Sequence, residues 1–175
     1  KSAAQGKHLV EQILAFSRRQ PQRKCALSLS DPVRDAKNLL RASLPPGIDI
    51  RATVVETPSR VLADPTSVHQ VVMNLGTNGA HAMMGQGTLE LSVESFYARD
   101  SFVRTHPALH EGEYTVLTVR DTGCGMDAAL LERVFEPFFT TKAPGAGTGL
   151  GLAMVDSIMR AHDGAIYMES EVGRG

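Results

Sequence analysis

The sequence predicts an α+β fold, with helices layered on one face of a mixed sheet, from three observations. Short alternating stretches such as "TLELSVESF" and "EYTVLTVRD" read as strands, because every second residue shares a face. Longer stretches, above all Pro65 to about Met84, repeat apolar residues at helical spacing. The two kinds alternate irregularly, and neighbouring strands can pair antiparallel. With 175 residues, a formal net charge of −1 and 42% hydrophobic residues, the chain suits one soluble domain with a real core. Near-neutral charge gives no electrostatic footprint for nucleic acid. The chain carries no eighteen-residue apolar run and no signal peptide, so a cytoplasmic segment without direct membrane contact is expected. Cys25 and Cys124 lack metal-ligand spacing and suit a reducing compartment.

In chain order, Leu9, Val10, Ile13, Leu14 and Phe16 predict a helix over Lys7 to Arg19, stopped by Pro21. "RRQPQRK" reads as a linker with a solvated basic face. "CALSLS" is a short strand, after which Ser30 or Asp31 is expected to cap a helix running to about Ser43, with Pro32 in its first turn. "LPPG" turns the chain into the strand "IDIRATVV", and "RVLAD" makes another. Asp64-Pro65 starts the long helix and "GQG" ends it. The two clearest strands come next, joined by a polar excursion containing "RTHPALHEGE". Met126 to Val134 predicts a short helix, Phe135 to Thr148 a loop, Gly149 to His162 a helix, and "AIYMESE" a strand. No internal repeat is present.

Four stretches carry candidate chemistry. In "APGAGTGLGLAMV", Gly145, Gly147, Gly149 and Gly151 fall at every second position before an apolar run. So bare a backbone suits either close approach of a phosphate to main-chain N–H groups or a flexible hinge. The pattern is neither G-x-G-x-x-G, since Leu150, Leu152 and Met154 replace the third glycine, nor a Walker loop, since no lysine comes after the glycines. In "HQVVMNLGTNGAHAM", Val68, Val71, Val72, Leu75 and Ala82 form a core stripe. Gln70, Asn74, Asn78 and His81 lie beside it within about 80° of one another. Gly76 and Gly79 each cost about 1 kcal/mol against alanine, so the helix needs something on that face. An asparagine carbonyl suits Mg²⁺ that takes its other ligands from phosphates and water, and an ordinary stripe of surface amides is the alternative.

"RDTGCGM" ends a strong strand with Asp121, Gly123 and Gly125. A carboxylate there can accept from the exocyclic amine of adenine, where guanine offers a carbonyl, or it can simply make an Asp-Thr-Gly turn. "FEPFFTTK" concentrates Phe135, Phe138 and Phe139, three of the six phenylalanines, around Pro137, as the root of a moving lid or as core packing. Cys124 reads as a small buried residue rather than a redox sensor.

Taken in order and spacing, these stretches resemble the catalytic domain of bacterial sensor histidine kinases, in the superfamily shared with DNA gyrase, Hsp90 and MutL. "HQVVMNLGTNGAHAM" looks like the N box, "DTGCGM" the G1 box, "FEPFFTTK" the F box and "GTGLGL" the G2 box. "GRG" at Gly173 to Gly175 is similar to the start of the last glycine motif, and the ending "AHAM" resembles kinases that carry PAS sensor domains. The resemblance implies a two-layer α/β sandwich of the Bergerat type over 27–175 with its last strand truncated. It also implies a linker over 21–26, and over 1–20 part of the second helix of a dimerisation hairpin.

The resemblance further implies ATP and Mg²⁺ as cofactors. Asp121 would accept from the adenine amine, with Gly123 and Gly125 in the turn beside the ring. Asn78 would hold Mg²⁺, Asn74 would support it, and His81 stands where relatives often carry a phosphate contact. Thr141 and Lys142 would belong to the lid, with Lys142 reaching the terminal phosphate. Gly147, Thr148, Gly149, Leu150, Gly151 and Leu152 would bring backbone amides to the phosphates. Implied partners are the dimerisation hairpin, a response-regulator receiver domain and a second copy in a full-length homodimer. The resemblance is compatible with a membrane-anchored whole protein.

Two departures from the family pattern matter. Gln70 stands where the ATP-hydrolysing relatives carry a glutamate base, and an amide takes no proton from water, which argues against a gyrase- or Hsp90-like ATPase. No histidine fits the phosphoacceptor, since His110-Glu111 lies in a loop and His162-Asp163 at a helix end. The chain is therefore expected to bind ATP without phosphorylating itself. A degenerate nucleotide-binding module without phosphotransfer is the alternative.

Overall fold

The structure, a computed structural model, describes residues 23–54, 59–143 and 147–175. The expected hairpin helix over 1–20 and the first linker residues lie outside the described residues, as does Gly145. The elements are β1 (Cys25–Leu27), α1 (Ser30–Ser43), β2 (Ile48–Val54), β3 (Val61–Ala63), α2 (Pro65–Ala82), β4 (Gly87–Ala98), α3 (Asp100–Val103), β5 (Gly112–Asp121), α4 (Ala128–Leu131) and α5 (Gly151–Ala161).

The main sheet has the order β2-β4-β5, with β2 parallel to β4 and β5 antiparallel to β4. A parallel pair needs a long crossover, and α2 supplies it. Leu89, Leu91 and Val93 alternate along β4 and join Ile48 and Ile50 of β2 on one buried face. Val33, Ala36 and Leu40 of α1 and Val68, Val72 and Ala80 of α2 close over that face, giving the two layers. β1 and β3 form a separate antiparallel ribbon in which Cys25 faces Ala63. Phe96 has the opposite parity on β4, and Phe102 of α3 packs edge-on against it at 4.8 Å.

Several boundaries differ from the sequence reading for local physical reasons. Leu29 occupies the cap position of α1 without a side-chain cap bond, and Ser28 Oγ accepts from the Ser30 N–H. α2 stops at Ala82 because Met84 and Gly85 turn left-handed, at φ 52° and 87°. The helix expected from Met126 shrinks to four residues, and N–H donations from Arg133 to Leu130 and from Glu136 to Arg133 wind the next residues into tight turns. α5 starts at Gly151 rather than Gly149, because Gly149 sits at φ 66°, outside helical space.

The expected strand "AIYMESE" forms no ladder among the described residues. An extended segment becomes a strand only when another backbone offers facing donors and acceptors. Here Tyr167 instead sets its ring edge-on to His106 at 4.6 Å, and Ser170 Oγ bridges the Met126 N–H and the Gly175 carbonyl.

Candidate nucleotide-binding site

Most of the expected site residues converge where the edge of α2, the end of β5 and the start of α5 meet. Asp64 caps α2, its carboxylate accepting from the Thr66 and Ser67 N–H groups at 2.8 and 3.2 Å. The glycines of α2 then prove to face the core. A methyl group on Gly76 would meet Leu40 Cδ1 at 2.7 Å, and one on Gly79 would meet Asp121 Cβ at 3.0 Å and Oδ2 at 3.1 Å. The helix therefore accepts the cost of Gly79 because Asp121 comes down onto it.

Asp121 Oδ1 accepts from the Gly123 N–H at 2.8 Å, which fixes the carboxylate in the turn. Oδ2 has no hydrogen-bond donor among the described residues, so one acceptor remains available to a ligand amine. The turn itself is closed from behind. Gly125, at φ 66°, backs onto the Glu171 carbonyl, and the Cys124 carbonyl accepts from the Gly173 N–H at 2.8 Å. Cys124 is exposed, contrary to the expectation of a small buried residue, because its backbone rather than its side chain makes these contacts.

Asn74 and Asn78 are half-buried and turned toward α5, with Asn74 Oδ1 and Asn78 Nδ2 each 3.5 Å from where a Gly151 Cβ would stand. No side chain caps α5, so the N–H groups of its first turn point outward beside these two amides. Thr148 Oγ1 accepts from the Leu150 N–H at 3.4 Å, while Leu150 itself is core, 1% exposed. Leu152 is half-buried. Gln70 donates to Met154 Sδ at 2.6 Å, and Asn74 donates to the same sulfur at 3.8 Å. That contact commits Gln70 to packing between α2 and α5.

The ends of the glycine loop are pinned together. The Phe138 N–H donates to the Gly149 carbonyl at 2.9 Å, and Gly149 lies against the Phe138 backbone. Phe138 is left-handed, at φ 68°, and 64% exposed, so "FEPFFTTK" is only partly the buried anchor its composition suggests. Phe139 carries Arg133 over its ring at 4.2 Å. Lys142 lies along Gly147, whose Cβ position is 2.8 Å from Lys142 Cδ. Burial lowers the pKa of Lys142 below its ordinary value, and no carboxylate pairs with it among the described residues.

Two expected residues stand apart. His81 is exposed and its Nδ1 donates to the Thr77 carbonyl at 2.7 Å, within its own helix. Thr141 is exposed on the loop. Sequence reading missed Met154 as a contact of the site, and its only signal was that it broke a glycine pattern; what it did not give for Phe138 was the backbone bond to Gly149. No group of three or more His, Cys, Asp or Glu among the described residues could hold a metal ion.

A free carboxylate oxygen, paired asparagines and an uncapped helix start behind a glycine loop lie at the seam of a two-layer α/β sandwich. The family model described as "Histidine kinase-, DNA gyrase B-, and HSP90-like ATPase" matches residues 63–175, and the chain belongs to that family. Sensor kinase CckA of Brucella abortus (strain 2308) is 42% identical over 167 residues, covering 95% of this chain and 18% of that protein. Sensor histidine kinase ZraS of Salmonella typhi is 37% identical over 151 residues, covering 86% of this chain and 29% of that one. A crystal structure of full-length ShkA in complex with AMPPNP matches with a TM-score of 0.74 at 25% identity, over 95% of this chain and 33% of that chain. The chain thus spans a third or less of each of these proteins.

Proposed function

We propose that this chain is the ATP-binding kinase domain of a two-component sensor histidine kinase. Its chemistry is transfer of the γ-phosphoryl group of ATP to a histidine on a dimerisation hairpin, in a homodimer of the whole protein. A response-regulator receiver aspartate then takes the group. The observation that carries this reading is the approach of Asn74 and Asn78 to Gly151 at the uncapped start of α5. That juxtaposition supplies N–H donors for phosphate oxygens and, from Asn74, an amide carbonyl at one point, with the Asn78 amide beside it. The names of the similar sensor kinases support the reading, and a cytoplasmic setting suits it. Among the described residues, no helix is long and apolar enough to cross a membrane.

Each residue has its own share of the work. Asp121 Oδ2 accepts from the adenine amine, and Gly79, Gly123 and Gly125 keep the approach clear. Asn78 holds Mg²⁺ through its carbonyl oxygen, with Asn74 beside it. A metal held this way comes with the phosphates rather than to a preformed acidic cluster. The Mg²⁺ supplies charge neutralisation of the phosphates. The N–H groups of Gly151 and Leu152 meet phosphate oxygens, Gly147, Thr148 and Gly149 bring the lid over them, and Lys142 reaches the terminal phosphate. His81 and Thr141 are outer contacts that form only if the lid closes. Gln70, held by Met154, activates no water, so transfer to an imidazole is favoured over hydrolysis.

Calorimetric titration with ATP and Mg²⁺, alongside Asp121→Asn, tests the site. Binding by the unmodified chain and loss of at least about tenfold in affinity in the variant are expected, on the scale of one charged hydrogen bond. Adding a separate hairpin that carries its phosphoacceptor histidine tests the chemistry. Labelling of that histidine from γ-labelled ATP is expected, whereas ATP binding with no labelling would make the chain a regulatory module.

A further inference from the structure

We propose that His162 is a positioning residue for this nucleotide site, acting from the far end of the two helices that build it. His162 caps the C-terminus of α5 and spans 98 positions of sequence to the start of α2, where its Nε2 lies 3.1 Å from the Asp64 backbone nitrogen. The Asp64 N–H can only donate, so Nε2 accepts and carries no proton. Nδ1 is 2.8 Å from the Ile158 carbonyl, which can only accept, so Nδ1 carries the proton. One neutral tautomer satisfies both neighbours at once.

The link joins the N-terminus of α2 to the C-terminus of α5. At their other ends the same helices bring Asn74 and Asn78 to Gly151. Midway, Gln70 and Asn74 bond Met154 of α5. Two side-chain ties along an antiparallel pair fix both the angle and the slide between the helices. Releasing the His162 tie frees α5 to pivot about Met154, moving the first-turn N–H groups away from the amides. The inference rests on the proposed nucleotide-binding function.

The tie is also conditional on protonation. An imidazolium carries N–H at both positions, so Nε2–H would face the Asp64 N–H, donor to donor. The tie therefore belongs to the neutral ring and is absent from the imidazolium. The ionisable groups nearest the ring in the chain or on its hydrogen-bond partner are Asp163, which pairs with Lys24 at 3.9 Å, and the Asp64 carboxylate, with His69 further along α2 bonding Pro65. Arg23 also bonds Asp64, and Asp156 and Arg160 pair on α5 itself.

Two substitutions separate the atoms. His162→Asn keeps a donor near Nδ1 and removes the acceptor at Nε2, while His162→Gln keeps an acceptor at the reach of Nε2. At mildly alkaline pH, the Kd for ATP with Mg²⁺ is expected to rise about fivefold in His162→Asn and to stay within about twofold in His162→Gln, on the scale of one hydrogen bond. Equal affinities for the two variants overturn the proposal.

Nitrogen NMR of the unmodified, nucleotide-free chain gives a reading that needs no variant to fold. It should report the Nδ1–H tautomer, and the Nε2–H tautomer overturns the tie. If the unmodified chain binds no ATP, the functional reading fails, and the positioning role fails with it, whichever tautomer is found.

Discussion

Gly76 and Gly79 lie one turn apart on α2, and the same substitution should do different things to them. A methyl group on Gly76 meets both Leu40 methyls, at 2.7 and 2.8 Å, and Leu40 is wholly buried. Overpacking costs about 1–3 kcal/mol, and the helix propensity of alanine returns about 1. Gly76→Ala should therefore lower stability by up to about 2 kcal/mol in denaturant titration and leave ATP affinity nearly unchanged. On Gly79 the methyl meets Asp121 and Leu89 at 3.0 to 3.2 Å, contacts that a few tenths of an ångström relieve. The group that gives is the carboxylate assigned to adenine. Gly79→Ala should keep its melting temperature and bind ATP about three- to tenfold more weakly, a loss of about 1 kcal/mol at the site. The sequence marked both glycines as costs on a helix that needed something, but not what each one faced. That depends on which residue folds against it from 36 positions before Gly76 or 42 after Gly79, and no local pattern carries that information.

At the scale of elements, the helices and long strands were legible because their signals are local. The Asp64-Pro65 start of α2 and the alternation in β4 and β5 are written in adjacent residues. The segment "AIYMESE" has the same alternation and forms no ladder among the described residues, because pairing needs a neighbour that periodicity does not specify. The glycine loop was legible as a loop, while the pinning of Phe138 to Gly149 was not.

Charge at the start of α2 and on the lid sets two further expectations for these elements. Desolvation raises the pKa of Asp64, but N–H donors from Ser67, Arg23 and Thr66 more than offset it, leaving the carboxyl below its ordinary value. A depressed carboxyl stabilises the fold above its unfolded pKa, and that contribution fades as pH falls through the folded one. Asp64→Asn, which still caps but cannot titrate, should lose that part of the acid sensitivity in pH-dependent thermal melts. Asp64→Ala should cost about 1 kcal/mol near neutral pH. On the lid, Lys142→Gln should weaken ATP more than ADP, since the two ligands differ by the phosphate Lys142 is assigned. Equal weakening would move Lys142 off the terminal phosphate.

On the scale of the whole molecule, the site belongs to no single element. Asp121 comes from the sheet, Asn74 and Asn78 from the helical layer, and Gly151 from the helix after the lid, so a ligand there spans the seam between the layers. The four motifs could be read from the sequence as pieces, and their shared destination could be read only through family resemblance. A ligand that bridges the seam binds the folded chain and not the unfolded one, so it should raise the stability of the whole domain. At a free concentration one hundred times Kd, the gain is about 2.7 kcal/mol. For a domain of this size each kcal/mol moves the midpoint by about 2–4 °C, so ATP with Mg²⁺ should raise the melting temperature by several degrees. Asp121→Asn should melt close to the unmodified chain without ligand, because its carboxylate spends one oxygen on the Gly123 N–H and an amide can keep that bond. It should then lose most of the nucleotide-induced rise. If Asp121→Asn keeps the full rise, the ligand is held by the phosphate end alone and the adenine assignment is wrong. If the unmodified chain shows no rise at saturating nucleotide, the two layers do not share a ligand at this seam.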